Sequence, residues 1–242
     1  MGGQSPKHSL ISVVIAAFNE EKYLSLCLDA LGKQTYPRDR FEVIVVDNNS
    51  TDNTSRIAKK FGAKVIFEKK QGYVFALNRG MKEAKSDIIA VTDADTEVFP
   101  NWLSIIEEAF KEEDLVAVTG ISKIKTGINI FDFIANSAFK LFAVITLMIG
   151  KPNVNGFNFA VRKDAFKKVG GLNEKFLMSP DVDLGIRLKK VGEDKLLDNL
   201  LVNTSLRRWK KDPIFVLPEY IKGYIYAAWL RKPPPVKQKV IR

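Results

Sequence analysis

Asp93 and Asp95 stand one residue apart at the end of an apolar, mostly β-branched run, Ile88-Ile89-Ala90-Val91-Thr92. If both continued a regular strand, their carboxylates would point to the same face. Two converging carboxylates form a hard oxygen site suited to Mg²⁺ or Mn²⁺ carrying a diphosphate. The competing reading is an ordinary turn, where Asp is common, and a lone Asp-x-Asp does not decide between the two. Asp47 offers another carboxylate at the end of a second apolar run, Phe41 to Val46. Asp181 follows Pro180 at the start of a helical pattern, where capping is an ordinary job for Asp.

These residues need elements to position them. The run at Ile88 reads as a buried strand, being short, apolar and flanked by polar residues. Leu10 to Ala17 is a similar run, followed by Phe18-Asn19-Glu20-Glu21 and by Leu24, Leu28 and Leu31 at helical spacing. Asn19 is the expected cap of that helix, with acidic residues in its first turn. Phe41 to Val46 is the second strand. A helix from about Asp52 to Phe61, closed by Gly62, leads to a short strand at Ala63 to Phe67. A helix over Tyr73 to Ala84 precedes the Ile88 strand, and Pro100 suits the first position of a helix through Asn101 to Lys111. Leu115 to Thr119 is a further strand.

Alternating strands and helices predict a doubly wound, mostly parallel α/β sheet. With right-handed crossovers, Asp47 and the Asp93–Asp95 pair share its C-terminal edge, where ligands bind in open α/β sheets. Two carboxylate sites at one edge favour a binding function over two unrelated turns. No strand is followed by Gly-x-Gly-x-x-Gly or by Gly-Lys-Ser/Thr, which argues against a standard dinucleotide site and a P-loop.

After about residue 122 the alternation stops. Ile128 to Ile149 is apolar and aromatic, long enough for one or two helices, and is expected to cover the sheet; membrane contact is the competing reading. A loop through Asn155 and Gly156 enters a strand ending near Arg162. A short helix over Lys163 to Val169 stops at Gly170-Gly171, another begins around Asp181, Leu200 to Thr204 is a strand, and Pro213 to Leu230 is an aromatic-rich helix ended by Pro233-Pro234-Pro235.

Composition bounds the function classes. The 242 residues are 46% hydrophobic and 27% charged, so the chain can bury a proper core. Cys27 is the only cysteine and His8 the only histidine, which removes disulfide frameworks, the usual zinc sites and Cys-His nucleophiles. The net charge of +10 favours anionic partners. Met1 to Ser9 is short and polar, unlike a signal peptide, and Asp132 and Lys140 interrupt the longest apolar run. The expected location is therefore cytoplasmic.

In order and spacing, the segments resemble the family 2 glycosyltransferases of GT-A fold. Ser12 to Glu21 looks like the family's first strand and nucleotide loop, and Val45-Val46-Asp47-Asn48-Asn49-Ser50-Thr51-Asp52 like its second. Gly72 to Gly80, with Asn78, leads into Thr92-Asp93-Ala94-Asp95-Thr96 as in the family's Asp-x-Asp region. Asn155-Gly156-Phe157-Asn158 and Val169 to Glu174 look like acceptor-side segments. Asp181-Val182-Asp183-Leu184-x-x-Arg187-Leu188 resembles the segment with the catalytic base. The resemblance covers roughly residues 10 to 210. It implies a Rossmann-like sheet with a smaller acceptor-side half: a nucleotide-sugar-binding half over 10–122, an acceptor half over 123–212 and a C-terminal helix and tail over 213–242, after a lead-in at 1–9.

The implied reaction is inverting sugar transfer from a nucleotide diphosphate, expected to be UDP-linked, to an acceptor hydroxyl. Ala17, Phe18, Asn19, Glu20, Asp47, Gly72, Asn78, Asp93 and Ala94 would line the donor, with Asp47 against the base. Asp95, with Asp93, would hold Mn²⁺ or Mg²⁺. Asp181 would be the general base. Asn155, Gly156, Arg207, Arg208 and Trp209 would lie on the acceptor and diphosphate side.

Two departures stand out. Pro180 replaces the Glu that usually precedes the family's catalytic Asp, which leaves a catalytically silent member as an alternative. Of the Gln-x-x-Arg-Trp motif of processive synthases, Ser205-Leu206-Arg207-Arg208-Trp209 keeps only Arg-Trp, so a non-processive transferase is expected. From Arg207 onward basic residues far outnumber Asp212 and Glu219 and interleave with Tyr220, Tyr224, Tyr226 and Trp229. That pattern suits peripheral contact with anionic lipid on the inner membrane face near a lipid-linked acceptor. A solvated basic surface is the alternative. A nucleotidyltransferase would usually show a basic, Gly-rich loop after the first strand, where this chain has acidic residues. A nucleic-acid binder would need a basic stripe with stacking aromatics, and no nucleic-acid partner is expected.

Overall fold

The computed structural model describes residues 11–123, 129–152, 154–205, 207 and 213–235. The N-terminal lead-in, with His8, lies outside them, as do Arg208 and Trp209. Apolar runs at the start of the chain become β1 (Ile11–Ala17), β2 (Phe41–Asp47) and β4 (Ile88–Thr92), with the short β3 (Lys64–Phe67) beside them. They alternate with α1 (Leu24–Gly32), α2 (Thr54–Lys60) and α3 (Tyr73–Glu83). Then come β5 (Thr96–Val98), α4 (Trp102–Ala109), β6 (Leu115–Ser122) and α5 (Asn129–Met148). The remainder is β7 (Asn158–Arg162), α6 (Lys163–Lys168), α7 (Pro180–Leu188), β8 (Glu193–Thr204) and α8 (Pro213–Ile225), continued by a π-helical turn at Tyr226–Leu230.

The strands form one eight-stranded sheet in the order β3-β2-β1-β4-β7-β6-β8-β5. The first four are parallel; β7 runs antiparallel to both β4 and β6, β6 and β8 are parallel, and β5 closes the edge antiparallel to β8. Helices cover both faces, which is why the central strands are apolar on both sides. One face packs on α1 and α4 through Leu24, Leu28, Trp102 and Ile106, and the other on α3, α6 and α7 through Leu77, Met81, Phe166 and Leu184. Gly80 lets α3 lie close to the sheet, because a Cβ there would sit 2.5 Å from Val14 and 2.7 Å from Val46.

Several expectations change. Asn19 is not the cap of α1; that position is Tyr23, and Asn19 is left-handed at φ 54°. Its Oδ1 instead accepts the Thr51 amide at 2.8 Å, so a contact between loops has taken over a local capping preference. Pro100 is not the first residue of α4, which Asn101 caps; the Pro100 carbonyl accepts the Thr35 amide instead. β5 is an additional three-residue strand, and β8 starts at Glu193, well before Leu200. The apolar stretch after residue 128 is a single helix that touches β8 but does not cover the sheet. Ile130, Phe133, Ile134, Leu141 and Met148 stay exposed on it, Met148 at 81%.

Candidate active site

Strand register decides which residues meet. Ala17 pairs with Asp47 across β1 and β2, and Val14 with Val91 across β1 and β4. Asn158 of antiparallel β7 pairs with Thr92, the last residue of β4. The loops leaving β1, β2 and β4 and the loop entering β7 therefore share one edge, at the point where strand direction reverses. Ala17, Asp47, Asp93 and the segment at Asn155–Gly156 all belong to that edge.

The first two loops are stitched together. The Asn19 amide donates to Ser50 Oγ at 3.0 Å, the Glu20 amide to Thr54 Oγ1 at 2.8 Å and the Glu21 amide to Asp52 Oδ2 at 3.0 Å. Asp47 is buried; Oδ1 accepts the Ser50 amide, and the Ser55 hydroxyl donates to Oδ2. Asn48 donates to the Glu68 and Lys70 carbonyls and accepts the Gly72 amide at 2.7 Å. Gly72, at φ 140°, is the cap of α3. These contacts fix the loop backbone at the sheet edge, and the Asp47 and Asn48 side chains already have partners.

The β4–β5 turn carries the acidic pair. Its Thr96 amide donates to the Asp93 carbonyl at 3.1 Å, and the Cys27 thiol faces the same carbonyl. Burial pushes the Cys27 thiol pKa up, and the fields of Asp93, Asp95, Glu97 and Glu20 push it further. Ala94 is buried between the two aspartates in sequence.

Arg207, just past β8, enters this acidic group. Its Nη2 lies 2.5 Å from Glu20 Oε1 and its Nε 3.0 Å from Asp95 Oδ2. The guanidinium stacks 4.6 Å from the centre of the Tyr23 ring. Glu20 is 2% exposed, Asp95 13% and Arg207 26%. Burial works against the charge of Arg207, but the Glu20 hydrogen bond and the nearby Asp95 and Glu20 charges outweigh it and raise its pKa. The Asp95 carboxylate thus already binds a cation. Among the described residues no three His, Cys, Asp or Glu side chains are grouped to hold a metal by themselves. Mg²⁺-like ions commonly take one or two carboxylates and complete their shell with phosphate and water, so this donor set fits an ion that arrives with a diphosphate.

Asp181 opens α7, with Pro180 at its first position and Ser179 left-handed at φ 51° before it. Proline there loses nothing, since the first helical N–H has no helical acceptor. Asp181 Oδ2 accepts the Gly156 amide at 3.0 Å, and the Tyr73 hydroxyl donates to the Gly156 carbonyl at 3.0 Å. Desolvation raises the Asp181 pKa from 3.8 to about 6, against the pull of the Val182, Asp181 and Gly156 amides. A carboxylate so placed can accept a proton near neutral pH.

Other expected residues are built into the frame. Asn78 Nδ2 donates to Glu174 at 2.9 Å and its Oδ1 accepts the Leu172 amide at 3.1 Å, joining α3 to the segment before α7. Asn155 donates to the Gly120 carbonyl at 2.6 Å. Phe18 is half-buried beside these loops. Sequence reasoning gave no role to Tyr73, Tyr23 or the side chain of Asn158. Asn158 is fully buried, accepts from Trp102 Nε1 at 2.8 Å and donates to the Leu200 carbonyl at 2.8 Å. Its place two residues after Gly156 was the available signal; Tyr23 and Tyr73 carried none.

Residues 12–170 match the family model described as glycosyl transferase family 2. Among curated proteins, the chain is 32% identical over 207 residues to "Probable glycosyltransferase YdaM" of Bacillus subtilis, covering 75% of this chain and 47% of that one. It is 28% identical over 194 residues to glycosyltransferase AglE of Haloferax volcanii, covering 75% of this chain and 62% of AglE. The chain thus spans roughly half the length of these relatives. Among solved structures, mannosyltransferase PcManGT of Pyrobaculum calidifontis, in complex with GDP-Man and Mn²⁺, superposes with a TM-score of 0.77 at 18% identity, over 95% of this chain and 67% of that one. Staphylococcus aureus TarS 1-349, in complex with UDP-GlcNAc, gives 0.63 at 20% identity, over 89% and 72%. Those neighbours share its fold.

Proposed function

The chain belongs to the family 2 glycosyltransferases and has their GT-A fold, and from that premise we propose that it moves a sugar from a nucleotide diphosphate, UDP by preference, to an acceptor hydroxyl with inversion and without processivity. The observation that carries this reading is Asp181, a desolvated carboxylate with a pKa of about 6 at the sheet edge that also holds Asp93 and Asp95.

Residues 10–122 form the donor half in this reading and 123–212 the acceptor half, although one sheet runs through both. The Ala17–Glu20 loop, Asp47 and Ala94 shape the nucleotide pocket. Asp95, helped by Asp93, holds Mn²⁺ or Mg²⁺. A divalent ion there would neutralise the diphosphate as the glycosidic bond breaks. Asp181 takes the proton of the acceptor hydroxyl, a contribution of about 10² to 10⁴ in rate. The Gly156 amide holds one oxygen of the base and the Val182 amide the other, at 3.0 and 3.1 Å, which fixes the plane of the carboxylate. Because Pro180 takes an ordinary helix-start position and leaves Asp181 in place, the active reading is favoured over a silent one.

The acceptor is lipid-linked in this reading, and the enzyme works against the inner face of the membrane. No described helix is long and apolar enough to cross a bilayer. α5 and the α8 unit instead expose Phe133, Leu141, Met148, Ile221, Ile225 and Trp229 beside Arg231 and Lys232, an apolar face with basic neighbours suited to lying on anionic lipid.

Thermal melts against a panel of UDP- and GDP-sugars, with and without Mn²⁺, test the donor site. Ligand at 100 times Kd adds about 2.7 kcal/mol of stability. Metal-dependent stabilisation by one donor, lost in Asp95→Asn, is the expected result; no response to any donor would overturn the reading.

A further inference from the structure

Arg207 lies where a cofactor cation would be expected. Its guanidinium bridges Glu20, on the loop after β1, and Asp95, on the turn after β4, and rests on the Tyr23 ring. The two carboxylates come from different loops, and each meets a different nitrogen of the planar group. Such charge-assisted contacts are the stronger class of hydrogen bond, the more so when partly shielded from water.

We infer that Arg207 is the resident counter-cation of Asp95, so that a divalent ion binds there weakly by itself and tightly only with a nucleotide diphosphate that takes the guanidinium over. The inference rests on the assignment of Asp95 as the cation ligand. An ion reaching Asp95 in the absence of nucleotide competes with the guanidinium for the carboxylate and, on taking Oδ2, displaces one arm of the bridge. The displaced arm would remain tethered through Glu20 beside a dication, and like charges at such range repel. A diphosphate relieves the conflict, since its oxygens match the planar fork of an arginine and bring their own negative charge. Metal and nucleotide then help each other to bind, because both favour the same displaced state of Arg207, and that help is reciprocal.

Arg207 thereby acts as a specificity residue. It discriminates against free divalent ions, which any Asp-x-Asp turn would otherwise attract, and admits the ion that comes with its phosphate cargo. The Tyr23 ring gives the guanidinium a surface to turn on without losing all of its contacts.

The test is Mn²⁺ uptake by the nucleotide-free protein, read from the loss of the free-ion electron paramagnetic resonance signal. Wild type, Arg207→Gln, Arg207→Lys and the double variant Asp95→Asn, Arg207→Gln are compared, each shown to be folded by its melting curve. Arg207→Gln is expected to bind Mn²⁺ about 5- to 150-fold more tightly than wild type, the usual range of such couplings. Arg207→Lys, which keeps a cation, should stay near wild type. If Glu20 without its partner unsettles the loop, the double variant Glu20→Gln, Arg207→Gln removes both charges and should show the same gain. Mn²⁺ uptake by folded Arg207→Gln or by the Glu20 double variant no tighter than wild type would overturn the inference. Uptake by the double variant Asp95→Asn, Arg207→Gln as tight as by Arg207→Gln would overturn the assignment of Asp95 on which it rests, a separate failure.

Discussion

Asp181 Oδ2 accepts the backbone amide of Gly156 at 3.0 Å, so the carboxylate at the start of α7 is tied to the chain as it enters β7. The tie holds an acid that burial has pushed to a pKa of about 6. In the proposed role of base to the acceptor it works only when ionised. The kcat/KM is therefore expected to rise tenfold per pH unit below about 6 and level off above it. Asp181→Asn should lose about 10²- to 10⁴-fold in rate while binding donor as before. A pH–rate profile of wild type and a donor titration of the variant check both.

The same shift affects stability. The folded state holds the Asp181 proton more tightly than the unfolded chain, whose pKa lies at the ordinary 3.8. Between those values the folded state binds more protons, so stability falls as pH rises from about 4 to about 6 and is then level with respect to this group. Asp181→Asn lacks that slope. Urea unfolding at pH 4 and pH 7 should show a smaller decline for the variant; equal declines would remove desolvation as the cause.

Gly156 leaves no room for a side chain. A Cβ there would sit 2.9 Å from Asp181 Oδ2 and 3.3 Å from the Tyr73 hydroxyl. Gly156→Ala should displace the carboxylate and lower kcat more than it lowers donor affinity, since the nearer contact is Asp181. Steady-state kinetics beside calorimetric donor binding separate the two quantities.

Asn158→Ala should act on stability first. It leaves Trp102 Nε1 and the Leu200 carbonyl without the partners they have in the core. Each buried unpaired group costs about 1–3 kcal/mol, and for a chain of this length the melting temperature should fall by at least about 4 °C. Differential scanning calorimetry reads it directly.

The exposed apolar face is testable without disturbing the core. Tyr224, Ala227 and Ala228 pack against Val182 and Ile186, so deleting the C-terminal segment would damage the fold itself. Phe133, Leu141 and Met148 are exposed on α5. Changing all three to Ser should weaken flotation with anionic vesicles at least tenfold, about 1.4 kcal/mol, and leave the melting temperature unchanged. Flotation equal to wild type would remove membrane contact from the functional reading.

Much of the donor side can be read from local pattern. β1, β2 and β4 are unbroken apolar runs because helices cover both faces, and each run ends at the sheet edge where its polar residues begin. What escaped that reading depends on distant partners. Asn19 has a capping residue's chemistry, yet Thr51, 32 positions away, claims its oxygen. β5 has three residues and an exposed Glu97, too little for a periodic signal. Arg207 could be assigned to the diphosphate or acceptor side, but not to the space between Glu20 and Asp95, since Glu20 lies 187 positions away in the chain. α5 is apolar around much of its circumference, and hydropathy alone does not distinguish a face packed on protein from one left outside.

The joint between α8 and α7 has a consequence of its own. A Cβ on Gly223 would lie 2.6 Å from Ser179 Oγ, and Ser179 is the strained residue that launches the helix bearing Asp181. The packed residues Tyr224, Ala227 and Ala228 continue that contact along α7. A shift of the outer helix would therefore bear first on the residue two positions before Asp181. A load placed on that helix's free side should register as altered turnover before it alters how tightly the donor is held.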